Sequence, residues 1–122
     1  MMDFENIDWA DSDLEKIEIE YNKAILTIFN YTLGTRLSVH CEGLIGLTNL
    51  CVWDDTTILS AQIVKPTDTD GFIQQVFSAY DKDFSYGGRM LNQGIVGLCV
   101  ELTNFLVFRV YCLKIIVVPS ED

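Results

Sequence analysis

Apolar and polar side chains alternate with a period of two along the first half of the chain, and this alternation limits the folds open to it. Ile17, Ile19 and Tyr21 alternate with charged residues, and residues 36–42 repeat the pattern. Such alternation predicts β-strands with one buried face and one wet face. We therefore expect the first half of the chain to form β-structure.

Short turns separate the strand-like segments, and strands joined by short turns run antiparallel. We therefore predict a mainly antiparallel sheet of about seven strands. The last two segments are expected to pair as a terminal hairpin around residues 103–104. The predicted strands cover residues 14–21, 24–31, 36–42, 47–53, 57–65, 95–103 and 105–118.

The period of the apolar residues changes after Pro66. Phe72, Val76, Phe77 and their apolar neighbours fall on one face of a helix. This spacing predicts a single helix over about residues 70–80, packed against the sheet. The predicted fold class is therefore α+β, with a strongly bent antiparallel sheet or small sandwich and one packed helix.

The length of 122 residues fits one domain covering 1–122. We expect residues 1–13 to form a loose acidic lead-in and residues 119–122 to fray. The sequence opens with no apolar signal segment, and the longest uncharged run after Glu101 is seven residues. That run is far shorter than the ~20 residues of a membrane span, so we expect a cytoplasmic protein with no membrane association.

The acidic residues are concentrated at the start of the chain. The formal net charge is −10, and the first twenty residues contribute −7 of it, from eight acids and one lysine. Nucleic acids and anionic membranes attract basic surfaces, so this charge excludes non-specific binding to either. It favours a basic protein partner.

Each of the two tryptophans stands beside carboxylates, a combination typical of a protein-binding surface with an aromatic anchor and steering charges. The alternative is that both tryptophans pack in the core and that the charges serve solubility. The candidate partner-binding residues are Trp9, Asp11, Asp13, Glu15, Trp53, Asp54 and Asp55.

The sequence offers few groups for catalysis. His40 is the only histidine, and Glu42 leaves the same strand face, so the two could act as an acid–base pair or stand as an exposed polar pair. The four cysteines form no C-x-x-C pair and are expected to be reduced and mostly buried. No phosphate-binding loop or metal-ligand spacing is present, so we expect no cofactor and no bound metal.

One further pattern of strand and turn residues extends over about residues 7–60. It consists of Trp9-x-Asp11, Leu14-x-x-Ile17-x-Ile19, Leu26-x-Ile28, Leu37-x-Val39, Glu42-Gly43, and Trp53 before Ile58. This pattern resembles small bacterial β-rich proteins of unknown function, some of which are immunity proteins of toxin systems. The resemblance implies a compact, non-enzymatic domain and carries no site residues with it.

Three hypotheses of function follow. The first is a non-enzymatic protein-binding module of the immunity or antitoxin kind, whose acidic surface binds a basic partner. The second is a small-ligand-binding domain with a pocket between sheet and helix, lined by Phe72, Val76 and Phe77. The third is a small enzyme that uses His40 and Glu42.

Overall fold

The computed structural model describes residues 3–48, 57–65 and 94–120. Within these ranges the chain forms one 3₁₀ turn, Phe4–Asn6, and eight β-strands. The strands are β1 (Asp13–Glu20), β2 (Lys23–Asn30), β3 (Thr35–Glu42), β4 (Gly46–Thr48), β5 (Ile58–Val64), β6 (Val96–Leu102), β7 (Val107–Cys112) and β8 (Lys114–Pro119).

The strands form two four-stranded sheets. The first has the order β1-β2-β3-β8 and the second the order β4-β7-β6-β5. All of these pairings are antiparallel, which confirms the mainly antiparallel sheet predicted from the sequence. One core cluster includes side chains from both sheets, so the sheets pack face to face.

The α+β class predicted from the sequence is wrong. The described residues form β-strands and a three-residue 3₁₀ turn, with no α-helix among them. The segment predicted as a helix, about residues 70–80 with Phe72, Val76 and Phe77, lies outside the described residues. In the described part of the chain each sheet buries its apolar face against the other sheet.

Alternate side chains of β2 and β3 point into the core, as the period of two predicts. Burying this apolar surface supplies the main favourable free energy of folding. The second sheet covers it with inward-facing residues of β6 and β7. The buried side chains of these four strands include Ala24, Leu26, Ile28, Leu37, Val39, Cys41, Leu98, Val100, Leu102, Phe108, Val110 and Cys112.

The predicted strand 105–118 is divided between the two sheets. β7 pairs with β6 as the predicted terminal hairpin, whereas β8 pairs with β3 in the other sheet. Leu113 lies between β7 and β8, so the chain passes from one sheet to the other at this residue. Residues 43–45 make the reverse passage from β3 to β4. Residues 105–118 form one apolar run in the sequence, and residues of this run face the core in both sheets. The sequence therefore does not show that the run is divided between β7 and β8.

The two passages lie side by side. Leu113 N–H donates to the Glu42 carbonyl at 3.0 Å, and the Gly43 and Leu44 N–H groups both donate to the Asn22 carbonyl at 3.1 Å. Gly43 has a φ of +69°, which L side chains rarely adopt. A Cβ at Gly43 would lie 2.9 Å from Leu113 Cβ, so this close approach also needs glycine.

Residues 3–12 are held to the core rather than loosely attached. Phe4 and Trp9 are 6% and 4% exposed, and their rings stack with centroids 4.7 Å apart. Asp11 N–H donates to the Ile58 carbonyl and Ile58 N–H donates to the Ser12 carbonyl, both at 2.8 Å. The segment expected to be a loose lead-in is therefore fixed to β5 by backbone bonds and to the core by two aromatic rings.

The C-terminus is ordered further than the sequence predicts. Pro119 is the last residue of β8, and Ser120 N–H donates to the Arg36 carbonyl at 2.9 Å. Residues 121–122 lie outside the described residues.

Candidate functional site: the acidic segment

The predicted partner-binding residues fall into two groups that the structure describes and a third that lies outside the described residues. Asp11, Asp13 and Glu15 belong to a continuous stretch, residues 3–15, which we call the acidic segment. It carries six carboxylates and no basic residue. Trp9 belongs to the same stretch but is buried. Trp53, Asp54 and Asp55 lie outside the described residues.

Trp9 anchors the acidic segment to the molecule. Its indole Nε1–H donates to the Phe4 carbonyl at 3.0 Å, so the buried ring leaves no unsatisfied donor. The carboxylates of Asp3, Glu5 and Asp8 stand on the exposed side of the same short stretch. The burial of Trp9 therefore fixes the position of the charges around it.

Asn30 joins the acidic segment to the turn between β2 and β3. Its side chain is fully buried, and its Nδ2 group donates to the Asp8 carbonyl at 2.8 Å and to Ser12 Oγ at 3.1 Å. Its Oδ1 accepts a hydrogen bond from Leu33 N–H at 2.9 Å. Asn30 therefore binds polar groups of the acidic segment and of the β2–β3 turn at the same time, and it acts as a structural junction between them.

Sequence reasoning missed Asn30, although a signal for it exists. β2 buries Ala24, Leu26 and Ile28, and Asn30 occupies the next inward-facing position. A polar residue at an inward-facing position must find hydrogen-bond partners when it is buried. The alternation therefore marks Asn30 as a position where the chain returns to cover the end of the strand.

An exposed aromatic residue adjoins two of the predicted carboxylates. Tyr31 is 60% exposed, and its hydroxyl donates to Asp13 Oδ2 at 2.7 Å. This hydrogen bond and the negative charge of Asp13 raise the pKa of Tyr31 above 10. Leu33, which is 48% exposed, follows in the same turn. We call the four residues Asp13, Glu15, Tyr31 and Leu33 the Tyr31 patch.

Glu15 is held by a charge-assisted pair. Arg36 Nε and Nη2 donate to the two carboxylate oxygens of Glu15, and the hydrogen bond lowers the pKa of Glu15. The guanidinium also lies 5.5 Å from the centre of the Phe29 ring. A β-bulge between Leu14 and Lys16 takes Glu15 out of the regular ladder and towards this pair.

His40 and Glu42 share the outer face of β3, as predicted, and Ser38 shares it with them. No hydrogen bond among the described residues joins the imidazole to either neighbour. His40 lies in a shallow groove of about 390 Å³, and burial together with the charge of Lys23 lowers its pKa. Among the described residues, no hydrogen-bonded nucleophile and no orienting group accompanies the imidazole.

The described cysteines are free thiols. Cys41 and Cys112 are fully buried, and Cys99 is half-buried; Cys51 lies outside the described residues. A hydrogen bond with Cys112 and burial both raise the pKa of the Cys41 thiol. The same hydrogen bond lowers the pKa of the Cys112 thiol. A buried, protonated thiol such as that of Cys41 is a poor nucleophile, and both side chains pack in the core.

Within residues 3–48, 57–65 and 94–120, no group of three or more His, Cys, Asp or Glu side chains is placed to hold a metal ion. No helix in the same ranges is long and apolar enough to cross a membrane. Comparison of the chain with protein-family models, curated proteins and solved structures finds no match. Function is therefore inferred from the chemistry of the chain's own surface.

Proposed function

We propose that the chain is a non-enzymatic protein-binding module whose acidic segment binds a basic protein partner. One observation carries the proposal: Phe4 and Trp9 are buried while the carboxylates between and beside them face outwards. A binding surface that is already ordered loses less conformational entropy when its partner arrives. The fixed position of the charges therefore favours binding over a role in solubility alone.

The charge of the acidic segment attracts a partner before the two proteins touch. Arg36 offsets the charge of Glu15, and the other five carboxylates within residues 3–15 attract a basic surface over about one Debye length, which is ~10 Å at 0.1 M salt. Individual exposed charge pairs contribute little affinity, so this attraction mainly increases the association rate. Most of the affinity for the partner must therefore come from other residues of the same surface.

The Tyr31 patch supplies an exposed aromatic anchor, the role that the sequence predicts for Trp9 and Trp53. Tyrosine is among the residues that contribute most to binding free energy at protein interfaces. The bond to Asp13 holds the Tyr31 hydroxyl in place, and Leu33 adds exposed apolar surface in the same turn. We assign to this patch the slow dissociation of the complex.

An inhibitor of the immunity kind, implied by the resemblance over residues 7–60, is a module of this type, and its partner would be a basic toxin enzyme. Such a protein works by covering a basic active site. The free thiols of Cys41, Cys99 and Cys112 support a cytoplasmic location, because free cysteines persist in a reducing compartment.

The test is a pull-down from the source cell, followed by binding kinetics at several salt concentrations. The triple variant Glu5→Gln, Asp8→Asn, Asp11→Asn removes three exposed charges while keeping side chains of similar shape. We expect slower association and a weaker dependence on salt. Tyr31→Ala is expected to accelerate dissociation.

The matched control removes three carboxylates from elsewhere on the surface, in the triple variant Glu20→Gln, Glu42→Gln, Glu101→Gln. It changes the net charge equally, so a smaller effect on association shows that the position of the charges matters. An acidic partner, or equal effects of the two triple variants, would show that the proposal is wrong.

A further inference from the structure

The strand register produces a groove on the outer face of the first sheet. Thr27 on β2 and Ser38 on β3 are direct neighbours with short side chains. The next outward-facing residues of these strands are longer, with Ile25 and His40 towards one end and Arg36 towards the other. The short pair between them leaves a groove of about 390 Å³, which we call the His40 groove. Its lining is completed by Glu15, Lys16, Glu18 and Ser120.

The volume of the His40 groove is within the range of about 300–1,000 Å³ that is typical of small-molecule sites. No hydrogen bond within the described residues engages the side chains of Thr27, Ser38 or His40, and none of the polar side-chain atoms described is buried without a partner. These polar groups are therefore open to a bound molecule. A hydroxyl both donates and accepts hydrogen bonds, and a neutral imidazole has one donor and one acceptor.

The charges at the rim of the groove are already paired. Arg36 Nε and Nη2 donate to the Glu15 carboxylate, and Lys16 Nζ lies 3.3 Å from Glu18 Oε1. Burial lowers the pKa of His40, so its ring is neutral at pH 7. An ion that entered the groove would lose hydration without meeting an uncompensated opposite charge. The matching ligand is therefore uncharged.

The groove also carries an apolar contact surface. Ile25 is half-buried and is the direct neighbour of His40 across the two strands. A ligand that suits the groove has several groups that both donate and accept hydrogen bonds, attached to a small frame with C–H surface. A sugar ring has this combination, because its hydroxyl groups surround a ring whose C–H faces are weakly apolar.

We propose that the His40 groove binds one neutral sugar unit. The Thr27 and Ser38 hydroxyls and the His40 imidazole bind its hydroxyl groups, and Ile25 contacts its C–H surface. This function goes beyond the binding of a basic protein, and it is tested on the purified protein without any partner. The sugar unit is either a free saccharide or the end of a glycan chain. The two differ in whether the C1 oxygen carries a substituent.

The first test adds D-glucose, D-galactose or D-mannose to the protein and follows the NMR signals of the Thr27 amide, the Ser38 amide and the His40 Cε1–H. We expect at least one of these hexoses to bind at roughly millimolar concentration and to shift the three signals. Absence of a shift at these signals with all three hexoses would overturn the proposal.

Methyl glycosides of the hexose that binds identify the source of the sugar unit. A methyl glycoside that binds as tightly as the free hexose supports the end of a glycan chain, because its C1 oxygen is already substituted. A glycoside that binds several-fold more weakly supports a free saccharide. Either result requires that the same three signals shift with the free hexose.

Three further probes test the chemistry of recognition. Glucuronate and glucosamine carry opposite charges on the same ring, and both are expected to bind more weakly than the neutral hexose. Cyclohexanol has a ring of similar size with a single hydroxyl, and it should also bind more weakly. Tighter binding of either ion, or equal binding of cyclohexanol, would contradict recognition of a neutral sugar through its hydroxyl groups.

The closing test uses variants of the groove floor. Thr27→Val keeps the shape of the side chain and suits a β-strand, and Ser38→Ala removes the neighbouring hydroxyl. Each is expected to weaken hexose binding about fivefold, because one hydrogen bond is lost. Ser60→Ala, which removes an exposed hydroxyl from β5 in the other sheet, should leave binding unchanged. Circular dichroism checks the fold of all three variants. Unchanged binding in Thr27→Val and Ser38→Ala, or an equal loss in Ser60→Ala, would show that the proposal is wrong.

Discussion

The two ends of the sandwich are held together by different chemistry. At the end where β1 begins, which we call the acidic end, side chains add to the backbone bonds between residues 11–12 and Ile58, with Asn30 as the junction and Asp13 bound by Tyr31. At the opposite end, which we call the crossover end, main-chain groups make the connections. There the Asn22 carbonyl accepts two N–H groups, and Leu113 N–H donates to Glu42.

The two ends also differ in how their charges are arranged. At the crossover end Glu20, Lys23, Glu42 and Lys114 are direct neighbours across four strands, and their signs alternate. Opposite charges that face each other across strands stabilise a sheet and cancel in its long-range field. At the acidic end the carboxylates outnumber the bases and their field persists. The change of sheet lies at the crossover end, and the uncancelled charge of the acidic end supports the partner binding proposed there.

Asn30→Ala is expected to cause the largest loss of stability, because it removes three hydrogen bonds at the acidic end. The Ser12 hydroxyl and the backbone groups bound to Asn30 lose their partner, and an unsatisfied buried polar group costs about 1–3 kcal/mol. We expect a loss of about 3 kcal/mol in the free energy of unfolding, measured by urea denaturation.

Asn104→Ala is the matched control. Asn104 Oδ1 also accepts one backbone N–H, that of Leu106, but in an exposed turn where water replaces the lost bond. Its cost should be about 0.5 kcal/mol. Equal costs at the two positions would mean that Asn30 is not the junction of the acidic end.

Gly43→Ala tests the crossover end. The new methyl group meets Leu113 at 2.9 Å, and the φ of +69° is unfavourable for alanine. Gly34→Ala is the control, because Gly34 has a φ of +67° but nothing within 4 Å of a new Cβ. We expect a loss of about 1 kcal/mol at Gly34 from the backbone alone and about 2 kcal/mol at Gly43. A cost at Gly43 no larger than at Gly34 would show that the close approach of the two passages is unimportant.

The charge pair between Glu15 and Arg36 is expected to have a smaller, pH-dependent effect. The pKa of Glu15 is lowered in the folded state, so its contribution to stability is present above the ordinary value of 4.5 and is lost as the pH falls below it. NMR titration of the Glu15 carboxylate should give a pKa below 4.5. Arg36→Gln should return that pKa towards 4.5, whereas Lys16→Gln, which removes an equal charge nearby, should change it much less.

The sequence predicts the parts of the fold that a local period determines. Strands β1, β2 and β3 were located within about one residue, because one buried and one wet face produce the alternation. The division of residues 105–118 at Leu113 could not be predicted, since the change of sheet depends on the distant contact with Gly43 and leaves no change in apolar pattern.

The candidate site was predicted in part. Composition identifies the acidic segment, because a concentration of charge is visible without a structure. It does not distinguish a buried Trp9 from an exposed one, since flanking carboxylates occur in both cases. The alternation along β2 marks Asn30 as an inward-facing polar residue. Its partners Asp8 and Ser12, and the Asp13 partner of Tyr31, lie 18 or more positions away in the sequence, so no local pattern identifies them.

His40 provides the test with the smallest expected effect of the difference between the two ends. It lies on β3, one row of side chains away from the alternating charges of the crossover end. Burial and Lys23 lower its pKa, whereas Glu42 and Glu20 raise it, so the opposing charges partly cancel and burial decides the direction. A folded pKa below 6.5 means that the unfolded chain takes up a proton more readily. Stability should therefore begin to fall as the pH drops below about 6.5, and His40→Gln should remove this early part of the loss while leaving the later part due to Glu15.

Because the chain has one histidine, a single imidazole Cε1–H resonance reports the pKa without ambiguity. Lys23→Gln should raise that pKa, because it removes the positive charge that lowers the pKa of His40 and leaves the effects of Glu20 and Glu42 in place. A value at or above 6.5 in the unaltered protein would mean that the carboxylates dominate here too, and the distinction between a balanced crossover end and an unbalanced acidic end would be lost.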